Sequence, residues 1–149
     1  YEYNQIKDKG CPGSGACPVM GTANTMAAMS EALGMSLPGN TATPGADSRL
    51  QRIAFEAGRQ VVKLHQERVT PSSIMKLNAF NNAIRVLMAL GGSTNGVLHL
   101  QAIAAELDLE LELETFNSIS KETPLIVDIA PSGSGKYLMW MKPVEFPLQ

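Results

Sequence analysis

The sequence predicts an α/β fold: a helix-rich segment of a layered domain that carries few short parallel strands. Three observations point there. Four stretches between Thr22 and Leu107 repeat apolar residues at helical spacing. The apolar run PLIVDIA, between Pro124 and Pro131, has the pattern of a strand buried on both faces, as in a parallel sheet. The stretch LDLELELE alternates strictly, which is the period of a half-buried strand.

In chain order, Gly10 to Gly21 holds four glycines and two prolines and reads as a loop of tight turns. Thr22 or Asn24 then caps a helix whose Met26, Met29 and Leu33 share one face, and Gly34 ends it. After the loop SLPGNTATPG, Asp47 caps a long helix to about Val69. Its Leu50, Ile53, Ala57, Val61 and Leu64 are expected to face inward, opposite Arg52, Glu56, Arg59, Lys63 and Glu67. Thr70-Pro71 has the N-cap and N1 pattern and opens a short turn. A helix follows through Phe80, Ile84, Leu87 and Met88 to Gly91-Gly92. Ser93 to Asn95 cap the next, through Val97, Leu100, Ile103 and Leu107. Leucine and glutamate are poor strand formers, so the alternating stretch is expected to hold only a short strand near Leu111 to Leu113, with Thr115 opening another helical turn. The remaining strands of the sheet are expected elsewhere in a longer chain.

At 149 residues the chain is one domain in size, and a fold of this length buries roughly 68–70% of the surface its unfolded form exposes. Apolar residues at 44% and charged residues at 17% exclude general disorder. The 12 basic and 14 acidic side chains are mixed without a basic stripe, so neither nucleic acid nor an anionic membrane is the expected partner. No run reaches the ~18 apolar residues of a membrane span, and YEYNQIKDKG lacks the apolar segment of a signal peptide. A soluble, cytoplasmic protein is the expectation, organellar if eukaryotic. The chain starts without an initiator methionine and ends in KPVEFPLQ, so a piece of something longer is expected.

Chemistry concentrates in two loops. Cys17 lies in small residues ahead of a helix start, a place that favours anions and thiolates. It reads either as a small, inert, buried residue or as a thiolate ligand whose glycine-rich loop lets backbone approach a cluster. Cys11 shares the loop, but the spacing in CPGSGAC is not that of a zinc ribbon, and two thiols alone cannot hold a cluster. The second loop, ALGGSTNG, is either a helix end followed by a helix cap or a hydroxyl and amide site for a carboxylate. His65 and His99 fall within helices without a carboxylate or cysteine at ligand spacing and read as packed or surface residues. APSGSGKY is not a phosphate-binding loop: glycine is needed where Ala130 stands, and serine or threonine where Tyr137 stands.

Five collinear stretches carry a family resemblance: CPGSGAC; MGTANTM with EALGMSLPG; AFNNAI; ALGGSTNGVLHL with AIA; and the PSG that precedes KYLM. Together they resemble the dihydroxy-acid and sugar-acid dehydratase superfamily, which includes phosphogluconate dehydratase, over about Gly10 to Met139. The resemblance implies part of an N-terminal, cluster-binding domain of three-layer α/β/α architecture spanning residues 1–149, with the tail 140–149 outside the pattern. It implies a hydro-lyase that converts a 2,3-dihydroxy acid to a 2-keto acid. Dihydroxy-acid dehydratase of branched-chain amino acid biosynthesis comes first, then an aldonic-acid dehydratase, then a shortened paralogue that only binds or assembles. It also implies a [2Fe–2S] or [4Fe–4S] cluster on three cysteines, a nearby Mg²⁺, a small dihydroxy-acid substrate and a homodimer of the full-length protein. Cys17 corresponds to one cluster ligand, and Cys11 to a cysteine that is not normally one. Thr22, Asn24, Ser93, Thr94 and Asn95 are the substrate-binding candidates. No base falls in this segment, because the family's serine base belongs to a C-terminal barrel domain. Its upstream Cys-Asp-Lys motif has no counterpart either, so the segment alone is expected to be inactive.

The departures bear on substrate. Pro18 and Val19 stand where the dihydroxy-acid branch has two glycines, and Gly21 where it has an aromatic. Gly21 is closer to the sugar-acid branch, whereas Asn24-Thr25-Met26 is closer to the dihydroxy-acid branch. Lys76-Leu77 replaces Thr-Arg, and Trp140-Met141 replaces acidic residues.

Overall fold

A computed structural model describes residues 2–10 and 14–135. Cys11, Lys136, Tyr137, the KYLM stretch and the tail 140–149 lie outside the described residues. Among the described residues, seven helices make up the regular structure: α1 (Glu2–Gly10), α2 (Thr22–Ala32), α3 (Arg49–Gln66), α4 (Pro71–Ile74), α5 (Leu77–Leu90), α6 (Asn95–Ala105) and α7 (Leu113–Glu122). No strand occurs among the described residues; a lone parallel bridge joins Ile129 to Gly135. None of these helices is long and apolar enough to cross a membrane.

The core is where α2, α5, α6 and α7 meet. The alanine- and methionine-rich α2 buries Asn24, Thr25, Ala28 and Met29 along one stripe and leads to the left-handed Gly34. Across from it, α5 buries Phe80, Ala83, Ile84 and Leu87, the i, i+3, i+4, i+7 pattern of one helical face. Leu100 and Ala104 of α6 and Phe116 and Ile119 of α7 complete the cluster. A fully buried side chain such as Phe80 stabilises by about 1.5–3 kcal/mol over its exposed state. Thr70 and Ser73 form the capping box of α4 around Pro71, as the Thr-Pro pair predicts. Left-handed Gly91 ends α5, and Thr94 is the N-cap of α6.

Several expectations need correction. The N-cap of α2 is Gly21, with Thr22 and Asn24 already inside the helix, so no side chain caps its first turn. Next, α3 buries none of its residues, and Val61 is 60% exposed. Apolar periodicity specifies an amphipathic face but not a neighbour to cover it. The N-cap of α3 is Ser48 rather than Asp47, which lies one residue earlier and receives the Arg49 N–H at 2.8 Å, and the helix stops at Gln66, three residues short of Val69.

The alternating stretch forms no strand. Leu111 is buried and its carbonyl receives the Gln101 amide at 3.0 Å, but Leu113 opens α7 and is exposed. Leucine and glutamate are strong helix formers, and without a paired strand their helical preference prevails. Thr115 therefore lies inside α7 rather than starting it.

The run PLIVDIA forms no strand beyond the bridge at Ile129 and is half open: Leu125 and Ile126 are 58% and 66% exposed, while Ile129 is buried. Its tie to the helices is the Ile126 N–H bond to the Ala89 carbonyl at 2.9 Å. In addition, the N-terminal stretch forms α1, which takes in Gly10 instead of leaving it to the loop.

Candidate active site

Three loops converge at the start of α2. The first carries Cys17 and runs into Gly21. The second, residues 91–94, joins α5 to α6. The third is the turn after Ile129. Each is fastened to another by hydrogen bonds between residues far apart in sequence. The Ser93 N–H donates to Thr25 Oγ1 at 2.9 Å, and the Asn95 amide donates to Thr22 Oγ1 at 2.9 Å. Thr22 and Ser93 hydroxyls are 3.3 Å apart. The Met20 N–H donates to the Ala130 carbonyl at 2.7 Å, and the Ser132 hydroxyl to the Gly91 carbonyl at 2.8 Å.

The first turns of α2 and α6 are thus side by side. Close packing requires glycine there: a Cβ on Gly96 would lie 2.9 Å from Leu87 Cδ1 and 3.1 Å from Thr25 Cγ2. The Ser93 side chain receives the Asn95 N–H at 3.3 Å, which closes part of the first turn of α6. The first turn of α2 has no such cap. Its N–H groups and the positive end of its dipole form an anion-favouring surface beside the hydroxyls of Thr22 and Ser93.

Cys17 is a free, half-buried thiol at this same helix start. A Cβ on Gly21 would be 3.7 Å from its Sγ, so the thiol packs against the glycine that begins α2. Among the described residues no group of three or more His, Cys, Asp or Glu side chains could hold a metal ion. A single thiol is one donor of the several that an iron–sulfur cluster needs, and its chemistry suits that role.

Of the sequence candidates, Thr22, Ser93 and Asn95 form one hydrogen-bonded group. Thr94 is the exposed N-cap of α6, without a side-chain cap bond. Asn24 is buried, and its amide donates to the carbonyls of Cys17 and Val19, each at 2.7 Å. Thr25, absent from the candidates, is 1% exposed and bonds the loop before α6. Its signal in the sequence was a hydroxyl on the apolar face of a helix, where a partner is obligatory.

Nearby carboxylates are engaged elsewhere. Burial pushes the Glu31 carboxyl up, but the N–H groups of Gly39 and Thr41 and the Thr41 side chain outweigh it and hold it below its ordinary value of 4.5. Asp128 is also held low, by the Ser134 hydroxyl and then its N–H. Both serve to shape loops: Glu31 fastens residues 39–41 to α2, and Asp128 closes the turn through Ser134.

Comparison with known proteins identifies a family. Residues 1–141 match the family described as dihydroxy-acid/6-phosphogluconate dehydratase N-terminal. The chain is 53% identical over 133 residues to a dihydroxy-acid dehydratase of Moorella thermoacetica, covering 89% of this chain and 24% of that protein. It is 54% identical over 123 residues to that of Thermodesulfovibrio yellowstonii, 83% and 22% of the respective lengths. For the Pyrococcus abyssi enzyme the identity is 51% over 132 residues, 89% and 24%. The chain therefore spans about a quarter of the length of these curated relatives. The match over residues 1–141, together with these identities, shows that the chain belongs to the dihydroxy-acid/6-phosphogluconate dehydratase family, in its N-terminal region.

Proposed function

We propose that the protein is an iron–sulfur dihydroxy-acid dehydratase in which Cys17 is one of the cluster's thiolate ligands. What carries the reading is the Cys17 thiol packed against Gly21 at the start of α2, directly before the Thr22–Ser93–Asn95 group. Relatives that share about half of its residues are named dihydroxy-acid dehydratases, which supports the same activity here. The other ligands belong to parts of the protein beyond this segment, and so do most of the contacts to Mg²⁺.

When bound, the cluster supplies a Lewis-acidic iron for the departing C3 hydroxyl. The protein's own residues orient the substrate. Thr22 and Ser93 hydroxyls and the Asn95 amide form a polar rim, and the uncapped first turn of α2 stabilises a carboxylate there. Thr94 extends this rim towards solvent. The reaction removes the C2 proton and the C3 hydroxyl as one water, and the resulting enol tautomerises to the 2-keto acid. Threonine, serine and asparagine are not bases at neutral pH, so the group that takes the C2 proton lies outside this rim. Without that group and the other cluster ligands, the 149 residues alone would have no turnover.

The exposed Leu125 and Ile126 and the apolar cleft of about 590 Å³ lined by Ala28, Val86, Leu90 and Val127 support a three-layer α/β/α domain. A sheet layer from the rest of the protein would cover both. A cytoplasmic homodimer acting in branched-chain amino acid biosynthesis completes the proposal. Gly21 in place of an aromatic favours a second reading, an aldonic-acid dehydratase with a roomier pocket.

The test is dehydration by the full-length protein after anaerobic cluster reconstitution, followed as 2-keto acid released. A branched five-carbon 2,3-dihydroxy acid should exceed a six-carbon aldonic acid by about 10-fold or more in kcat/KM. The opposite preference would support the second reading. Turnover of neither acid by fully loaded protein would indicate a paralogue that only binds or assembles.

A further inference from the structure

We propose that Asn24 is a positioning residue for the thiolate at Cys17; the inference rests on the ligand reading above. Asn24 lies one turn into α2, is 6% exposed, and directs both N–H bonds of its amide to the loop ahead of the helix. The acceptors are the carbonyls of Cys17 and Val19, at 2.7 Å each. These two carbonyls bracket Pro18, which has no N–H and cannot hold the loop by its own backbone donor. The loop is thus fixed on both sides of Pro18 by one rigid, helix-borne group.

A third bond, from the Met20 N–H to the Ala130 carbonyl at 2.7 Å, anchors the loop's exit. The Cys17 backbone lies between these ties, and its Sγ would be 3.7 Å from a Cβ placed on Gly21. Because the amide acts on the cysteine's own carbonyl, its loss frees the ligand while leaving the apolar core intact. The core side chains Met29, Phe80 and Ile84 make no use of it.

Asn24→Asp keeps the shape and removes the donors. Gln101→Glu is the matched control, since Gln101 clamps the Leu111 carbonyl in the same way far from Cys17. In the full-length, reconstituted protein, Asn24→Asp should raise amide exchange across residues 15–21 by about tenfold or more and speed iron release to a chelator to a similar degree. Asn24→Ser, which keeps a shorter donor, should fall between Asp and wild type, and serves if Asn24→Asp does not fold. Gln101→Glu should change neither readout in this loop.

Exchange in residues 15–21 no faster than in Gln101→Glu overturns the clamp. Faster exchange with unaltered iron release overturns its positioning role. Cys17→Ser, measured alongside, separates these failures from failure of the ligand reading, because only the latter predicts an unchanged iron content in that variant.

Discussion

Thr25→Val tests whether the two helix starts are joined by the hydrogen bond described. The substitution conserves volume almost entirely and replaces Oγ1 by a methyl group. Thr25 is 1% exposed, and its Oγ1 is the acceptor for the Ser93 N–H at 2.9 Å. Valine leaves that N–H facing a methyl in a partly buried site. The cost is the desolvation of an unsatisfied donor, about 1–3 kcal/mol. That corresponds to a factor of roughly 5 to 150 in the folding equilibrium. Thr25→Ser separates the contributions, because it keeps the acceptor and loses only the methyl packed near Gly92 and Gly96. Its cost should be about 1 kcal/mol. Equilibrium urea unfolding of the three proteins measures both differences. Thr25→Val should be the less stable variant and should also weaken substrate binding, as the 93–95 loop loses its tie to α2. A Thr25→Val protein within about 0.5 kcal/mol of wild type would refute the reasoning, since that is the range of surface substitutions.

Gly96→Ala should destabilise by about 1–3 kcal/mol through overpacking on Leu87 and Thr25, measured by the same unfolding assay. Ile84→Ala, in the fully buried α5 stripe, should cost about 2–5 kcal/mol, whereas Val61→Ser on the open face of α3 should stay within about 0.5 kcal/mol of wild type. The Glu31 carboxyl is held below 4.5, so its contribution to stability is fully present above that pH and disappears as pH falls through the lowered value. Glu31→Gln should therefore lower stability at neutral pH and flatten its fall in acid, read from melting temperature against pH. If the acid limb is unchanged, the carboxylate does not fasten the 39–41 loop.

The helices that pack on one another were legible because their apolar spacing matches real neighbours. The stripes of α2 and α5 face each other, so Met29 and Phe80 are buried as the period predicts. The stripe of α3 has the same period and no cover among the described residues, which is why Val61 lies open. Strands depend on partners even more. Ile126 reads as a core strand residue, yet its N–H finds a helix-end carbonyl at Ala89 instead of a ladder. At the site, loop composition marked Cys17 and the hydroxyl of Ser93, and the family resemblance added Thr22. What it could not show was pairing across 68 and 73 residues, from Thr25 to Ser93 and from Thr22 to Asn95. Nor could it show that the Asn24 amide turns back on its own loop, because a buried asparagine and a ligand-facing one look identical in a sequence.

The most direct measurement is the iron and sulfide content, with the visible absorbance, of full-length protein reconstituted anaerobically as wild type, Cys17→Ser and Cys11→Ser. The account predicts that Cys17→Ser loses the cluster or holds it only fleetingly, while Cys11→Ser keeps wild-type content. Equal content and spectra in wild type and Cys17→Ser would contradict it.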